Sequence, residues 1–384
     1  MDKGKLSVAA FFAILGMVCA GSASAIPEIK ESLSLTDRQL GLLMLAGPVG
    51  TGTSYLFAAP LVSRRGSRMA LLIGTVGYML AVLVLASCFM FRPALPFWIF
   101  AMAIVPAFGN ILNISVNTQG GLVERRVGKS VMGFFHGNWS FANLLCAVLL
   151  LCASWCGVPI GWRLAGIAFV CAPLALFMFG GLEKDGPDHG RKVQEKVRLR
   201  PDFALVQLGL VALLFLGCEG AVFDWVGVFY KDVLNVLPEM KMLGYCAVMA
   251  MMTVGRFATD RLVNKTSPTF VVRLYSLLVS VGLCLTFVLS ECLPPGVVRT
   301  TLVTLAYAVT GFGLSGLAPL IYSAATRSKS LPPAAAVTVV SSIGFIAYFI
   351  VPPMVGTISS LWGLGVAFAI YAVLMLVGTR VRMQ

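Results

Sequence analysis

Three asparagines in one apolar stretch lie at positions that share a helix face. Asn110, Asn113 and Asn117 fall within about 60° of one another at 100° per residue, and Glu124 follows on the same stripe. Carboxamides facing lipid tails would lose their hydrogen bonds, so the stripe must face protein or a water-filled cavity. It either joins helices by hydrogen bonds or lines a cavity that binds a polar solute. We favour the cavity, because joining helices does not require three amides in register.

A second polar stripe follows in the next apolar run. His136, Trp139, Ser140 and Asn143 share one helix face there. Trp139 lies about two turns inside the run rather than at the membrane–water interface, where tryptophan is common. A tryptophan face beside amides suits stacking on a sugar ring. His136 can titrate near neutral pH, so it is a candidate proton carrier; alternatively, it hydrogen-bonds a neighbouring backbone group.

An acid lies deep within a later apolar run. Counted from Phe203 at about 1.5 Å per residue, Glu219 is about 24 Å into a hydrocarbon core about 30 Å thick. A carboxylate at this depth is typical of proton or ion relays, although a structural pair with a cation of another helix is the alternative. Gly217 and Gly220 flank it and could break the helix. Asp224 lies near the outer boundary and is a second candidate for proton coupling.

Other polar or aromatic side chains in the second half of the chain are candidates for solute binding. Each lies in an apolar run, and each alone is more often a packing residue than a ligand. They are Tyr245, Tyr307, Ser341 and Tyr348.

The composition places all these residues in a membrane. The 384 residues are 58% hydrophobic and 12% charged, whereas soluble domains are about 45–50% apolar and about 25% charged. The 29 Lys and Arg exceed the 16 acids, but they lie in short loops between apolar runs, which indicates membrane orientation rather than nucleic-acid binding. With two histidines and no CxxC spacing, we expect no metal, no cofactor and no enzyme. A disulfide among Cys152, Cys156 and Cys292 stays open.

Twelve apolar runs can be marked along the chain, most of them long enough to cross a bilayer as helices. The first run follows Lys3 and Lys5 and ends at residues 22–25 (Ser-Ala-Ser-Ala), which imitates a signal peptide. It is longer than the usual apolar region of about 7–15 residues, so we expect a retained first helix. Lys and Arg concentrate in alternate loops, which predicts that both termini are cytoplasmic.

One long polar segment, residues 183–202, divides the runs into two sets of six. We predict a cytoplasmic linker there, an N-terminal six-helix bundle over residues 1–182 and a C-terminal one over residues 203–384. Two such bundles around a central site form an alternating-access architecture.

Two short segments carry a family resemblance. Residues 61–68 (Leu-Val-Ser-Arg-Arg-Gly-Ser-Arg) resemble the loop signature G-x-L-a-D-R-x-G-R-R of the major facilitator superfamily, and residues 257–261 (Phe-Ala-Thr-Asp-Arg) resemble its second copy. Ser63 stands where Asp is usual and Ala59 where Gly is usual, which argues against a salt-bridge latch in the first half. The resemblance implies the fold of that family, with twelve transmembrane helices in two pseudo-symmetric bundles. It also implies gating by the two loop segments, and Glu124 is added because it lies at the predicted cytoplasmic mouth of the fourth run. The gating candidates are therefore Arg64, Gly66, Arg68, Glu124, Asp260 and Arg261.

Three further segments resemble the YbjJ-type branch of this family, which is distantly similar to the fucose permeases. They are residues 117–120 (Asn-Thr-Gln-Gly) with Glu124, residues 135–137 (Phe-His-Gly) and residues 219–225 (Glu-Gly-Ala-Val-Phe-Asp-Trp). The resemblance covers nearly the whole chain but names no substrate.

We therefore expect a secondary active transporter in the inner membrane. It would move a small polar solute, sugar-like or an organic metabolite, by alternating access in symport with protons, and it would act as a monomer. A proton-driven exporter of amphipathic compounds is the main alternative, since an interior rich in Phe and Met would tolerate such compounds. A membrane sensor that moves no solute is a weaker alternative.

Overall fold

The computed structural model describes residues 2–128, 131–184, 202–328 and 331–381. These residues form α-helices joined by short turns, which confirms the predicted all-helical membrane fold. The α-helices in these ranges are α1 (Lys3–Ser32), α2 (Asp37–Leu43), α3 (Ala46–Phe91), α4 (Leu95–Val127), α5 (Met132–Trp155), α6 (Ile160–Phe179), α7 (Phe203–Asp232), α8 (Leu243–Lys265), α9 (Pro268–Cys292), α10 (Val297–Leu314), α11 (Leu317–Ala325), α12 (Pro333–Phe345), α13 (Ala347–Trp362) and α14 (Leu364–Met375).

Within the described residues, eleven helical segments are long and apolar enough to cross a membrane. The predicted twelfth run corresponds to a shorter apolar helix, Leu364–Arg380. Some predicted spans consist of two helices: α10 and α11 form the tenth, and α12 and α13 the eleventh. The break between α10 and α11 is explained by Pro319, which has no N–H to donate to the carbonyl four residues earlier.

Helix α7 is continuous over 30 residues, so the prediction that Gly217 and Gly220 interrupt it is wrong. A helical glycine costs only about 1 kcal/mol relative to alanine, which does not by itself break a bonded helix. Both glycines lie where α7 packs against α13. A Cβ atom at Gly217 would lie 3.0 Å from Val351, and one at Gly220 would lie 3.5 Å from Tyr348.

The described residues divide into two compact units. The first unit holds residues 2–33 and 43–184, and the second holds residues 34–42 and 202–381. Of the predicted linker, residues 185–201 lie outside the described residues. In each unit, glycine allows two helices to approach closely, as is common in membrane proteins. A Cβ atom at Gly50 of α3 would lie 1.9 Å from the carbonyl oxygen of Ala103 on α4. In the second unit, a Cβ atom at Gly311 of α10 would lie 2.3 Å from the carbonyl oxygen of Val248 on α8.

Helix α1 is part of the core of the first unit. Val8 and Ile14 are fully buried, and a Cβ atom at Gly16 would lie 2.3 Å from the carbonyl oxygen of Trp139 on α5. Near the other end, Arg163 of α6 lies 3.4 Å from a carboxylate oxygen of Glu28. Removal of α1 would uncover these surfaces. All ten cysteines lie in the described ranges and are free thiols.

The short helix α2 packs on α13 within the second unit. The Ser359 hydroxyl donates a hydrogen bond to the Asp37 carboxylate, and the backbone N–H of Arg38 donates one to the Ser360 hydroxyl oxygen over 2.9 Å. A Cβ atom at Gly356 would lie 2.4 Å from the Asp37 carbonyl oxygen.

Candidate functional site

The three asparagines of α4 have different surroundings. Asn110 is buried, and its Nδ2 donates a hydrogen bond to the hydroxyl oxygen of the equally buried Ser54 on α3 over 2.8 Å. Asn113 is exposed, and Asn117 Nδ2 donates to its side-chain oxygen over 2.9 Å, one helical turn away. The stripe therefore consists of one amide that joins α4 to α3 and an open pair of amides that presents polar groups at the surface of the unit.

The polar residues of α5 lie against α1. The ring of His136 meets that of Phe12 edge-on, with 5.1 Å between centroids. The exposed fraction falls along the stripe, from the exposed His136 through the half-buried Trp139 to the fully buried Asn143. His136 and Trp139 thus keep exposed surface, whereas Asn143 is inside the packed unit.

Glu219 has a cation in its surroundings in the second unit, and a tyrosine lies against the next residue of α7. It is half-buried in the middle of α7, and the half-buried Arg256 of α8 lies within electrostatic range of its carboxylate. The exposed Tyr348 of α13 lies beside Gly220, the next residue of α7. The structure therefore places a carboxylate, a guanidinium and a phenol on helices that pack together. Sequence analysis anticipated a cation from another helix only as an alternative and did not identify Arg256.

Asp224 does not join this group. Five residues along α7 from Glu219, it is rotated by about 140° to another face of the helix, where it is half-buried. Ser341, on α12, is also half-buried.

Two predicted solute-binding tyrosines lie in the core of the second unit. Tyr245 is 1% exposed, and its ring meets that of Phe223 edge-on at 5.6 Å. Tyr307 is fully buried in an aromatic cluster, with its ring centroid 5.8 Å from that of Phe229 and 6.0 Å from that of Phe368. Neither side chain is accessible to a solute in this conformation.

The predicted gating segment of the first unit contains a backbone break. Gly66 has φ 81° and ψ 157°, which is open to glycine and strained for other residues. Arg64 on one side is exposed. On the other side, Arg68 Nη2 donates to the carbonyl oxygen of Phe179 at the end of α6 over 3.3 Å. The break thus turns the chain so that Arg68 reaches α6.

A buried glutamine to which the sequence analysis gave no structural role holds this segment in place. Gln119 Nε2 donates to the Ser67 hydroxyl oxygen over 2.8 Å and to the Glu183 carbonyl oxygen over 3.1 Å, and its Oε1 accepts from the Glu183 backbone N–H over 2.9 Å. Arg126 forms ion pairs with Asp2 and with the Glu183 carboxylate. The sequence could have indicated this role, because Gln119 is nine residues from Asn110 and therefore lies on the opposite face of α4.

Three further gating candidates are Glu124, Asp260 and Arg261. Glu124 Oε2 accepts the backbone N–H groups of Val131 over 2.8 Å and Met132 over 3.1 Å, so it caps the start of α5. Asp260 and Arg261 lie within α8 rather than in a loop, because the helix continues to Lys265. Arg261 is exposed, and the side chain of Asp260 lies outside the described residues.

Comparisons with known proteins agree with this architecture. The sequence profile of the Major Facilitator Superfamily matches residues 6–333. An uncharacterized MFS-type transporter of Yersinia pestis is 26% identical over 373 residues, which are 96% of this chain and 91% of that protein. The enterobactin exporter EntS of Salmonella typhi is 26% identical over 205 residues, which are 53% of this chain and 40% of that protein. The crystal structure of a D-xylose-proton symporter superposes with a TM-score of 0.70 at 15% identity, over 97% of this chain and 96% of that one.

The profile match covers most of the chain, and the helices are those of a multi-pass membrane protein. The chain belongs to the major facilitator superfamily, as the loop signature predicted. It is a membrane transporter and not an enzyme.

Proposed function

We propose that the chain moves a small polar solute together with protons across the inner membrane, with both termini in the cytoplasm. The position of Glu219 carries this proposal. It lies about 24 Å from the start of α7 and about 20 Å from its end, half-buried and close to Arg256. Acids at this depth in a membrane span are rare and are retained for ion or proton movement.

The pairing with Arg256 suggests how proton and solute binding are linked. An ionised Glu219 attracts the guanidinium of Arg256. When Glu219 takes up a proton, the attraction between the two groups is lost. The Arg256 guanidinium can then donate hydrogen bonds to an electronegative group of the solute. Proton binding would thereby prepare the site for solute binding.

The exposed polar groups suit a solute with many hydroxyl or amide groups. Asn113 and Asn117 offer amide donors and acceptors in the first unit, where Trp139 offers an aromatic face. Tyr348, which is exposed beside Gly220, offers a hydroxyl in the second unit. These groups fit a sugar-like compound or an organic metabolite. The fold similarity to a D-xylose-proton symporter agrees with this solute class.

A second candidate function is proton-driven export of a larger amphipathic compound. The observation that favours it is the 26% identity to an enterobactin exporter over about half of this chain. The direction of transport distinguishes the two functions.

The proposed function can be tested with purified protein in two stages. A thermal-shift screen against sugars, amino sugars and organic acids first finds a solute that raises the melting temperature. Liposomes containing the protein then measure uptake of that solute driven by a pH gradient, and counterflow exchange without a gradient. We expect Glu219→Gln to abolish gradient-driven uptake and to retain counterflow, because only the coupled proton is lost. Glu291→Gln, at an exposed position near the end of α9, is the matched control and should keep both activities.

Full gradient-driven uptake by Glu219→Gln would exclude Glu219 as the proton carrier. If the pH gradient drives the solute only in the direction that corresponds to export from a cell, the exporter would be favoured.

A further inference from the structure

A basic pocket lies beside the predicted gating segment of the first unit. It has a volume of about 360 Å³ and is lined by Arg65, Arg68, Met69, Phe179 and Lys184. This volume falls within the range of about 300–1,000 Å³ that is usual for small-molecule sites. Three of its five lining residues are cations, and the other two offer apolar surface.

The walls of this pocket are fixed by buried hydrogen bonds. Gln119 is fully buried and bonds both Ser67, which precedes Arg68, and Glu183, which precedes Lys184. The break at Gly66 separates Arg65 from Arg68 along the chain and lets both reach the same pocket. One glutamine thus holds the Ser67 hydroxyl on one side of the pocket and the Glu183 backbone on the other, which brings the cations next to these residues together.

The Arg68 side chain is also held in position. Its guanidinium stacks over the Phe179 ring, 4.6 Å from the centroid, and donates a hydrogen bond to the Phe179 carbonyl oxygen. An arginine that is already oriented loses little conformational freedom when it binds an anion. Its planar fork of donors matches the oxygens of a phosphate group.

We propose that this pocket binds a phosphate group, and that the group is the headgroup phosphate of an anionic phospholipid. Basic pockets between membrane helices on the cytoplasmic side bind such headgroups. The exposed Met69 on the rim offers apolar surface next to the cations, which suits the glycerol and acyl portion of a lipid better than a free ion. A lipid bound there would contact the predicted gating segment directly, because Arg65 and Arg68 belong to that segment.

Native mass spectrometry of the delipidated full-length protein tests this site. Phosphatidylglycerol, phosphatidylcholine and inorganic phosphate are titrated separately. The double variant Arg65→Gln with Lys184→Gln removes two exposed cations and leaves Gln119 and Arg68 intact. The double variant Lys265→Gln with Arg327→Gln removes two exposed cations from the second unit and is the matched control.

We expect phosphatidylglycerol to bind more tightly than phosphatidylcholine. Each cation removed from the pocket should weaken its binding about fivefold, so the pocket variant should lose roughly 25-fold, whereas the control should keep its affinity. Equal phosphatidylglycerol binding by the two variants would overturn the proposal, as would equal binding of the two lipids by the unmodified protein. If millimolar inorganic phosphate displaced the lipid, the phosphate site would stand but its ligand would be a soluble anion. Thermal melts of both variants confirm that they are folded.

Discussion

Replacement of Asn110 by alanine tests whether the buried amide of α4 joins helices or binds solute. The amide lies 2.8 Å from the Ser54 hydroxyl oxygen, and both side chains are buried. Hydrogen bonds between membrane helices contribute about 0.6 kcal/mol on average and about 1.7 kcal/mol at most. The buried Ser54 oxygen that loses its donor adds a desolvation cost. We therefore expect Asn110→Ala to lower the free energy of unfolding by about 1–2 kcal/mol.

The measurement is a double-mutant cycle of Asn110→Ala and Ser54→Ala, in which the stability of each variant is measured by thermal unfolding in detergent. One kcal/mol lowers Tm by about 2–4 °C in a unit of 150–250 residues, so Asn110→Ala should lose several degrees. The coupling energy between the two positions should be about 0.6–1.7 kcal/mol. Asn113→Ala is the control on the same stripe: its side chain is exposed, so Tm should be unchanged while solute binding weakens. Strictly additive losses, or an unchanged Tm with lost solute binding in Asn110→Ala, would refute the structural role of this amide.

Two further predictions concern the end of the first unit that carries Gly66 and Glu124. Gly66→Ala should lower the free energy of unfolding by about 1–3 kcal/mol, because alanine is strained at a φ of 81°. The control is Gly133→Ala on α5, where a Cβ atom meets open space, so Tm should stay the same or rise. An equal effect of the two substitutions on Tm would contradict the argument. Glu124→Ala should speed hydrogen exchange at the amides of Val131 and Met132, because both lose their acceptor. Unchanged protection at these two amides would show that the cap is not formed.

The fold could be predicted from the sequence because the bilayer imposes a local rule. A span must be apolar over about 20 residues and helical throughout, and both properties can be read from consecutive residues. The rule failed where polar residues extend a helix beyond the hydrocarbon, as in α8 after Phe257. It also failed for α7, because glycines that serve close packing and glycines that break a helix look alike in a sequence.

The site could be predicted only in part, because periodicity gives the face of a residue but not its neighbour. The stripe of α4 was visible, yet Ser54 is 56 positions from Asn110 and Glu183 is 64 positions from Gln119. Such pairs depend on which helices pack together and at which level. The same limit applies to Arg256, whose place beside Glu219 follows from the packing of α7 on α8.

Exposure divides the polar residues of the membrane helices into two groups with different expected roles. Asn110, Asn143 and Gln119 are buried within the first unit, where their bonding capacity can hold helices together. Asn113 and Glu219 retain exposed surface. A charged group that faces lipid at mid-helix would cost about 2.5–3.5 kcal/mol, so the exposed surface of Glu219 is tolerable only where it faces water or another polar group. We therefore expect substitutions of the exposed group to change transport while stability is kept, and substitutions of the buried group to do the reverse.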